Sequence, residues 1–298
     1  MNNRNVRVSH FTAWNIVPDE LIENFMAEFA AAGAEYITLM SRQLIQMLGE
    51  PEYAVRLGSQ MKKLKLKTAD AHGLAGPDYD LDIPGRREGI IADHKRALEY
   101  CAEFGVETYT VHVGAAPWCR RPDPFDFDVL RPNALDTLEK ILPVAEKLGI
   151  VLAVENSFEP VNSPDEVIGY IRHFNSPYIR CCYDSGHANY MAGRNKDPSR
   201  YKDSFHEIVW RGKIVFEDRA VEKLSPYIVT CHLHDNSGYG DDHVLPGTAS
   251  GTIDWKTLMP KLLACPDLRS IQNESNFATQ HVPVQEVCRI FNKISAMK

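Results

Sequence analysis

Between Cys231 and His243 the chain places three imidazoles (His232, His234, His243) and three carboxylates (Asp235, Asp241, Asp242) within thirteen residues. Carboxylates crowded in this way repel one another unless a cation gathers them. A divalent metal is the natural partner for a mixed set of imidazoles and carboxylates.

The same residue types recur wherever a short apolar run ends. In chain order they are His10, Arg42, His72, His112, Glu155, Asp184 with His187, His232 with His234, and Glu274. Glu155 is delivered by the apolar run 151–154, and Asp184 and His187 stand three apart around Gly186, which would permit a tight turn. Any one of these is unremarkable as a solvent-facing polar side chain. A ring of them is not, because Glu155, Asp184 and Glu274 brought together would raise one another's pKa without a cation. Two Glu, one Asp and one His suit Mn, Mg, Co or Zn, and residue type alone does not choose among these ions.

Such a ring needs strands that end at one rim. Short β-branched runs at 6–11, 36–40, 68–72, 109–113, 150–154, 178–183, 228–233 and 270–273 read as eight strands. Helical patterns separate them at 19–33, 53–64, 86–104, 134–148, 165–174, 217–224, 255–263 and 284–294, the first with Asp19 placed to cap it. Gly33, Gly105 and Gly149 each stand between a helical pattern and the next strand, one C-capping device used three times. Eight β/α units in one series predict a single (β/α)8 TIM barrel over 1–298, with a loop insertion at about 188–215. Tyr190, Tyr201, Phe205 and Trp210 make that insertion a candidate pocket wall, a lid or an oligomer contact.

With 298 residues, 44% hydrophobic and 24% charged, the chain suits one barrel of about 250 residues plus insertions. A net charge of -7 disfavours nucleic acid as the main partner, since phosphate neutralisation dominates such binding. Lys62, Lys63 and Lys65 read as a solvated helix end. No basic-then-apolar leader and no apolar run of ~18–20 residues is seen, so a cytoplasmic protein with no membrane partner is expected. The seven cysteines form no C-x-x-C pair and read as buried reduced thiols.

Val-Glu-Asn at 154–156, Tyr-Asp-Ser-Gly-His-Ala-Asn at 183–189, His-Leu-His-Asp-Asn at 232–236, Asp-Asp-His…Pro-Gly at 241–247 and Asn-Glu-Ser at 273–275 resemble the xylose isomerase-like barrel superfamily over essentially the whole chain. That superfamily groups sugar and sugar-phosphate isomerases and epimerases with endonuclease IV-type repair enzymes. The likeness to its ketose 3-epimerases implies one divalent metal on Glu155, Asp184, His232 and Glu274. It also implies proton transfer by Glu155 and Glu274 through a metal-stabilised enediolate, and substrate contacts from His187, His112 and His72. Asp241, His243 and His10 are left as further metal or substrate contacts, with His234 and Asp235 as weaker candidates. The likeness to endonuclease IV implies a three-zinc phosphodiesterase instead, using His72, His112, Glu155, Asp184, His187, His232, Asp241, His243 and Glu274. Its phosphate contacts would have to come from Arg120, Arg121, Arg194 and Lys196. Action on a modified glycoside, or ligand binding without catalysis, are the remaining readings. A small sugar is the expected partner, and a homo-oligomer is left open.

Overall fold

The computed structural model describes residues 6–12, 18–114, 127–210 and 212–297. Its eight strands are β1 (Arg7–His10), β2 (Tyr36–Ile37), β3 (Asp70–His72), β4 (Thr108–Val111), β5 (Val151–Glu155), β6 (Ile179–Asp184), β7 (Ile228–Leu233) and β8 (Ser270–Asn273). All pair in parallel, in the order β2-β1-β8-β7-β6-β5-β4-β3. The two ends of this sheet meet through parallel bridges Tyr36↔Lys67 and Leu39↔Ala71. The result is a (β/α)8 TIM barrel, as the alternating pattern predicts.

The helices are α1 (Asp19–Ala31), α2 (Ser41–Gly49), α3 (Pro51–Leu64), α4 (Arg87–Glu103), α5 (Phe127–Leu148), α6 (Pro164–Phe174), α7 (Ser185–Ala192), α8 (Phe205–Val209), α9 (Ala220–Leu224), α10 (Trp255–Leu263) and α11 (Val284–Ser295). Pro18, not Asp19, holds the cap position of α1. Gly33, Gly105 and Gly149 have φ of 86°, 76° and 72°, the left-handed conformation that ends a helix and turns the chain into the next strand. Strand side chains alternate. Leu152, Val154, Cys181, Cys231, Leu233 and Ile271 belong to the core shared with the helices' Met26, Phe29, Leu138 and Phe291. Each such buried side chain contributes roughly 1.5–3 kcal/mol.

The opposite strand faces line the barrel axis, and much of that lining is polar. Ser9, Thr38 and Asp70 form one hydrogen-bonded chain (2.9 and 3.0 Å), and Gln272 donates to Thr230, which bonds Ser270 (3.2 and 3.0 Å). The same alternation carries Glu155, Asp184 and His232 to the C-terminal rim, where Asp184 pairs in register with His232.

The insertion at 188–215 is a folded cap, not a loop. It contains most of α7, short 3-10 turns at 194–196 and 198–201, and α8. Phe158, Tyr190, Met191, Tyr201 and Val209 build a small core of their own. Tyr201 donates its hydroxyl to the Gly238 carbonyl (2.5 Å) and Trp210 its indole N–H to the Phe158 carbonyl (2.8 Å). The cap therefore braces the loops after β5 and β7. Phe205 stays half exposed. Six cysteines among the described residues are buried and unbridged, and no helix among them is long and apolar enough to cross a membrane.

Candidate metal centre

Four neighbouring strands, β5 to β8, bring Glu155, Asp184, His232 and Glu274 together, with ligand atoms that all lie within 4.8 Å of one another. His232 Nδ1 stands 3.2 Å from Glu155 Oε2, 3.0 Å from Glu274 Oε2 and 4.0 Å from Asp184 Oδ2. Side-chain exposure is 0% for His232 and Asp184, 2% for Glu155 and 5% for Glu274. Two further groups adjoin this one. His72, Glu155 and His232 form the first, and His187, His234, Asp241 and His243 the second.

The framework that holds these candidate ligands is specific. Asn156 exchanges side-chain hydrogen bonds with the backbone of Asp184 (3.1 and 3.0 Å), tying the ends of β5 and β6. The Asp184-Ser-Gly-His phrase is not a tight turn but the first turn of α7, whose N-terminal cap is Asp184, accepting from His187 N at 2.6 Å. Gly186 serves packing: a Cβ there would lie 1.9 Å from the His234 ring. His187 donates from Nδ1 to the Asn156 carbonyl and turns Nε2 toward Asp241 Oδ2, 3.3 Å away. His243 adopts φ 47°, donates from Nδ1 to the Glu274 carbonyl (3.0 Å) and turns Nε2 to the same Asp241 oxygen (3.2 Å).

All but one of the residues expected from the sequence to hold the metal or touch substrate, the weaker candidate Asp235 aside, meet at the rim. His112 Nε2 is 2.9 Å from Glu155 Oε2, and His72 lies between His112 and Glu274. A cavity of about 390 Å³ opens above them, lined by His72, His112, Glu155, His187, Asp241, His243 and Glu274 among others, with Arg42 at its edge. His10 is the exception. It faces the helices, stacked on Phe29 with Cys288 Sγ 3.9 Å away, and burial lowers it to about 3, so it stays neutral and apart from the cluster. Phe11, the next residue, lines the cavity instead.

His234 carries more of the site than its sequence signal suggests. Its Nε2 is 3.1 Å from Asp184 Oδ1, and its ring stacks on His243 at 3.7 Å. The His-x-His alternation contained that signal. Asp235, by contrast, points away to receive backbone and indole donors. Glu159 and Asn162, beyond β5, also line the cavity, and nothing in the sequence pattern marked them. Lys196 is occupied by Asp218, and Arg194 packs over Tyr239. Arg120 and Arg121 lie outside the described residues.

Buried polar atoms without hydrogen bonds include His232 Nδ1, Glu155 Oε1, Asp241 Oδ1 and Glu274 Oε2, all turned into this cluster. Orphaned atoms on Glu155, His232 and Glu274 fit a divalent ion in the four-residue group, and the one on Asp241 fits a second in the adjoining group. Without one, the imidazoles serve as the cations. Burial alone would lower His232 and His187, yet Cys182 and then Glu274 and Glu155 outweigh it at His232, and Asp184 and Asp241 at His187, and both are raised well above the usual range. His243 is raised to about 9 against the same burial, chiefly by Asp241. Glu155, Asp241 and Glu274, which burial would raise, are held low by these histidines. His72 departs from the pattern: burial and then His112 lower it to about 4.

A sign follows. Imidazoles with raised pKa carry protons at pH 7, and an ion must displace them. Uptake of Mn2+ or Co2+ at pH 7 is expected to release protons and to strengthen as pH rises toward 9. Calorimetry in two buffers of different ionisation enthalpy reads the proton count, and zero release would contradict this electrostatic picture.

The family model described as xylose isomerase-like TIM barrel matches residues 26–265, and the chain belongs to that family. An uncharacterized protein of Methanocaldococcus jannaschii is 26% identical over 187 residues, 60% of this chain and 55% of that protein, so the match spans about half of its length. Among solved structures, the Escherichia coli 3-keto-D-glucoside 4-epimerase superposes with a TM-score of 0.67 at 18% identity, covering 96% of this chain and 98% of that one. An AP endonuclease, family 2, from Brucella melitensis gives a TM-score of 0.63 at 16% identity, covering 91% and 93%.

Proposed function

We propose that the chain is a divalent-metal-dependent isomerase or epimerase of a sugar or sugar derivative. The observation that carries this reading is the buried group Glu155, Asp184, His232 and Glu274, of which Glu155 and Glu274 line a cavity of about 390 Å³, a size that suits a small ligand. An ion held by these four residues would supply Lewis acidity toward a carbonyl and its neighbouring hydroxyl. Glu155 and Glu274 are the proton carriers: one takes the proton from the carbon next to the carbonyl, and the other, or the same one, returns it. Return from the opposite face inverts the carbon, whereas transfer along one face exchanges aldose and ketose. His112 bonds one Glu155 oxygen at 2.9 Å, and His187 Nδ1 faces the other at 3.2 Å, so imidazoles flank the carboxylate on both sides. They and His72 also border the cavity and are the proposed hydroxyl contacts.

A second reading has one observation in its favour. The adjoining His187, His234, Asp241 and His243 group could hold another ion, as a multi-metal phosphodiesterase acting on abasic DNA requires. The net charge of -7 and the engagement of Lys196 and Arg194 elsewhere weigh against a grip on a bent duplex.

The test sets substrates side by side. Protein loaded with Mn2+, Co2+, Mg2+ or Zn2+ is incubated with a panel of ketoses and keto-glycosides, and separately with abasic duplex DNA. Conversion of a sugar that stops with chelator and resumes with the ion is the expected result. Nicking of the DNA with every sugar unchanged would replace this reading with the second one.

A further inference from the structure

Asp235 follows the two histidines of β7's end, yet its carboxylate is buried and turned away from the cavity. One oxygen accepts from the backbone N–H of Asn236 (2.9 Å), Thr252 (2.8 Å) and Ile253 (3.1 Å), and the other from the Trp255 indole (2.7 Å). Its backbone also pairs with Val244 in both directions, at 2.8 and 2.9 Å. A Cβ on Gly251 would stand 2.4 Å from the carboxylate, so the chain closes on it without room to spare. One residue thus clasps the 236–254 segment at its middle and at its far end. Asp241 and His243 ride on the clasped segment. His243 is held there in a left-handed conformation that a free loop would leave readily.

We infer that Asp235 is a positioning residue: its carboxylate, acting through the 236–254 segment, sets Asp241 and His243 against His187 and His234. This rests on the reading of the rim as a divalent-cation site. Four donors to one carboxylate make the clasp sensitive to charge and not only to shape. An amide in its place turns N–H groups toward N–H groups and leaves buried donors unpaired.

The experiment uses metal-free full-length protein titrated with Co2+ alone, followed by calorimetry and visible absorption, with amide exchange at Val244, Thr252 and Ile253 read in parallel. Asp235→Asn is expected to weaken Co2+ binding at the Asp241 group by at least about tenfold, as outer supports of metal ligands do. Exchange at 252 and 253 should quicken while the β5 to β7 amides stay protected. The double variant with Asp241→Asn should bind no more weakly than Asp241→Asn alone, because both changes act on one ligand group. Should Asp235→Asn unfold the barrel, Trp255→Phe removes a single donor and should move binding in the same direction by a smaller factor. Unchanged binding in Asp235→Asn, or in Trp255→Phe where it replaces it, beside weakened binding in Asp241→Asn overturns the positioning role and leaves the cation site standing. Unchanged binding in Asp241→Asn as well removes the His187, His234, Asp241 and His243 group as a cation site and the positioning role with it, whereas failure of the parent protein to bind Co2+ at all overturns the reading of the rim.

Discussion

Replacing Glu155 by Gln is expected to lower sugar turnover by at least about a thousandfold, the scale on which a positioned acid–base group acts. It should also weaken the divalent ion by more than the roughly 10–100-fold that changes in outer supports produce. Three imidazoles converge on this carboxylate, with His112 at 2.9 Å and His187 and His232 at 3.2 Å. Gln keeps the size and removes the charge that holds them protonated. His112, raised to about 9 largely by Glu155 against the pull of burial, should fall markedly in the variant, which NMR titration of the metal-free protein reads. The barrel itself should persist, since the imidazoles can lose their protons and remain buried as neutral groups. Full turnover in Glu155→Gln would remove Glu155 from the chemistry. An unmoved His112 would show that another group raises it.

The second large effect comes from a residue with no side chain. In Gly186→Ala the new methyl meets the His234 ring at 1.9 Å, and that ring is stacked on His243 and bonded to Asp184. Neither partner can yield without moving a candidate ligand. Overpacking of this kind costs about 1–3 kcal/mol, and the upper end applies here because α7's first turn is fixed by the Asp184 cap. A fall in Tm of roughly 4–10 °C is expected, together with weaker ion binding at the His187, His234, Asp241 and His243 group. A variant as stable as the parent, with unchanged ion binding, would mean that α7 slides freely, against the geometry described.

The barrel was legible because its signals are local: Gly33, Gly105 and Gly149 mark helix ends, and apolar runs such as 151–154 mark buried strands. The four central candidate ligands were legible because each stands at or beside the end of one of the eight strand runs. What failed was facing. His10 ends β1 on the side that meets Phe29, because Ser9 takes the axial side and bonds Thr38. His234, read as a peripheral residue, enters the cluster because the Asp235 clasp and α7 fold around it. The 188–215 segment reads as a loop because its core is made by aromatic residues meeting Phe158 and Tyr239 from other parts of the chain, which no local pattern records. Gly186 looks like a turn residue, whereas its use is to admit a ring from a distant strand.

The proposed reaction is a proton transfer by Glu155 and Glu274 on the carbon beside a sugar carbonyl. Its most direct test is solvent exchange. In deuterium oxide, with a divalent ion bound, deuterium should enter one ketose or keto-glycoside of a broad panel at that carbon, and both Glu155→Gln and Glu274→Gln should abolish the exchange. Turnover of a sugar with no solvent deuterium at that carbon, or exchange that continues in both variants, would contradict it.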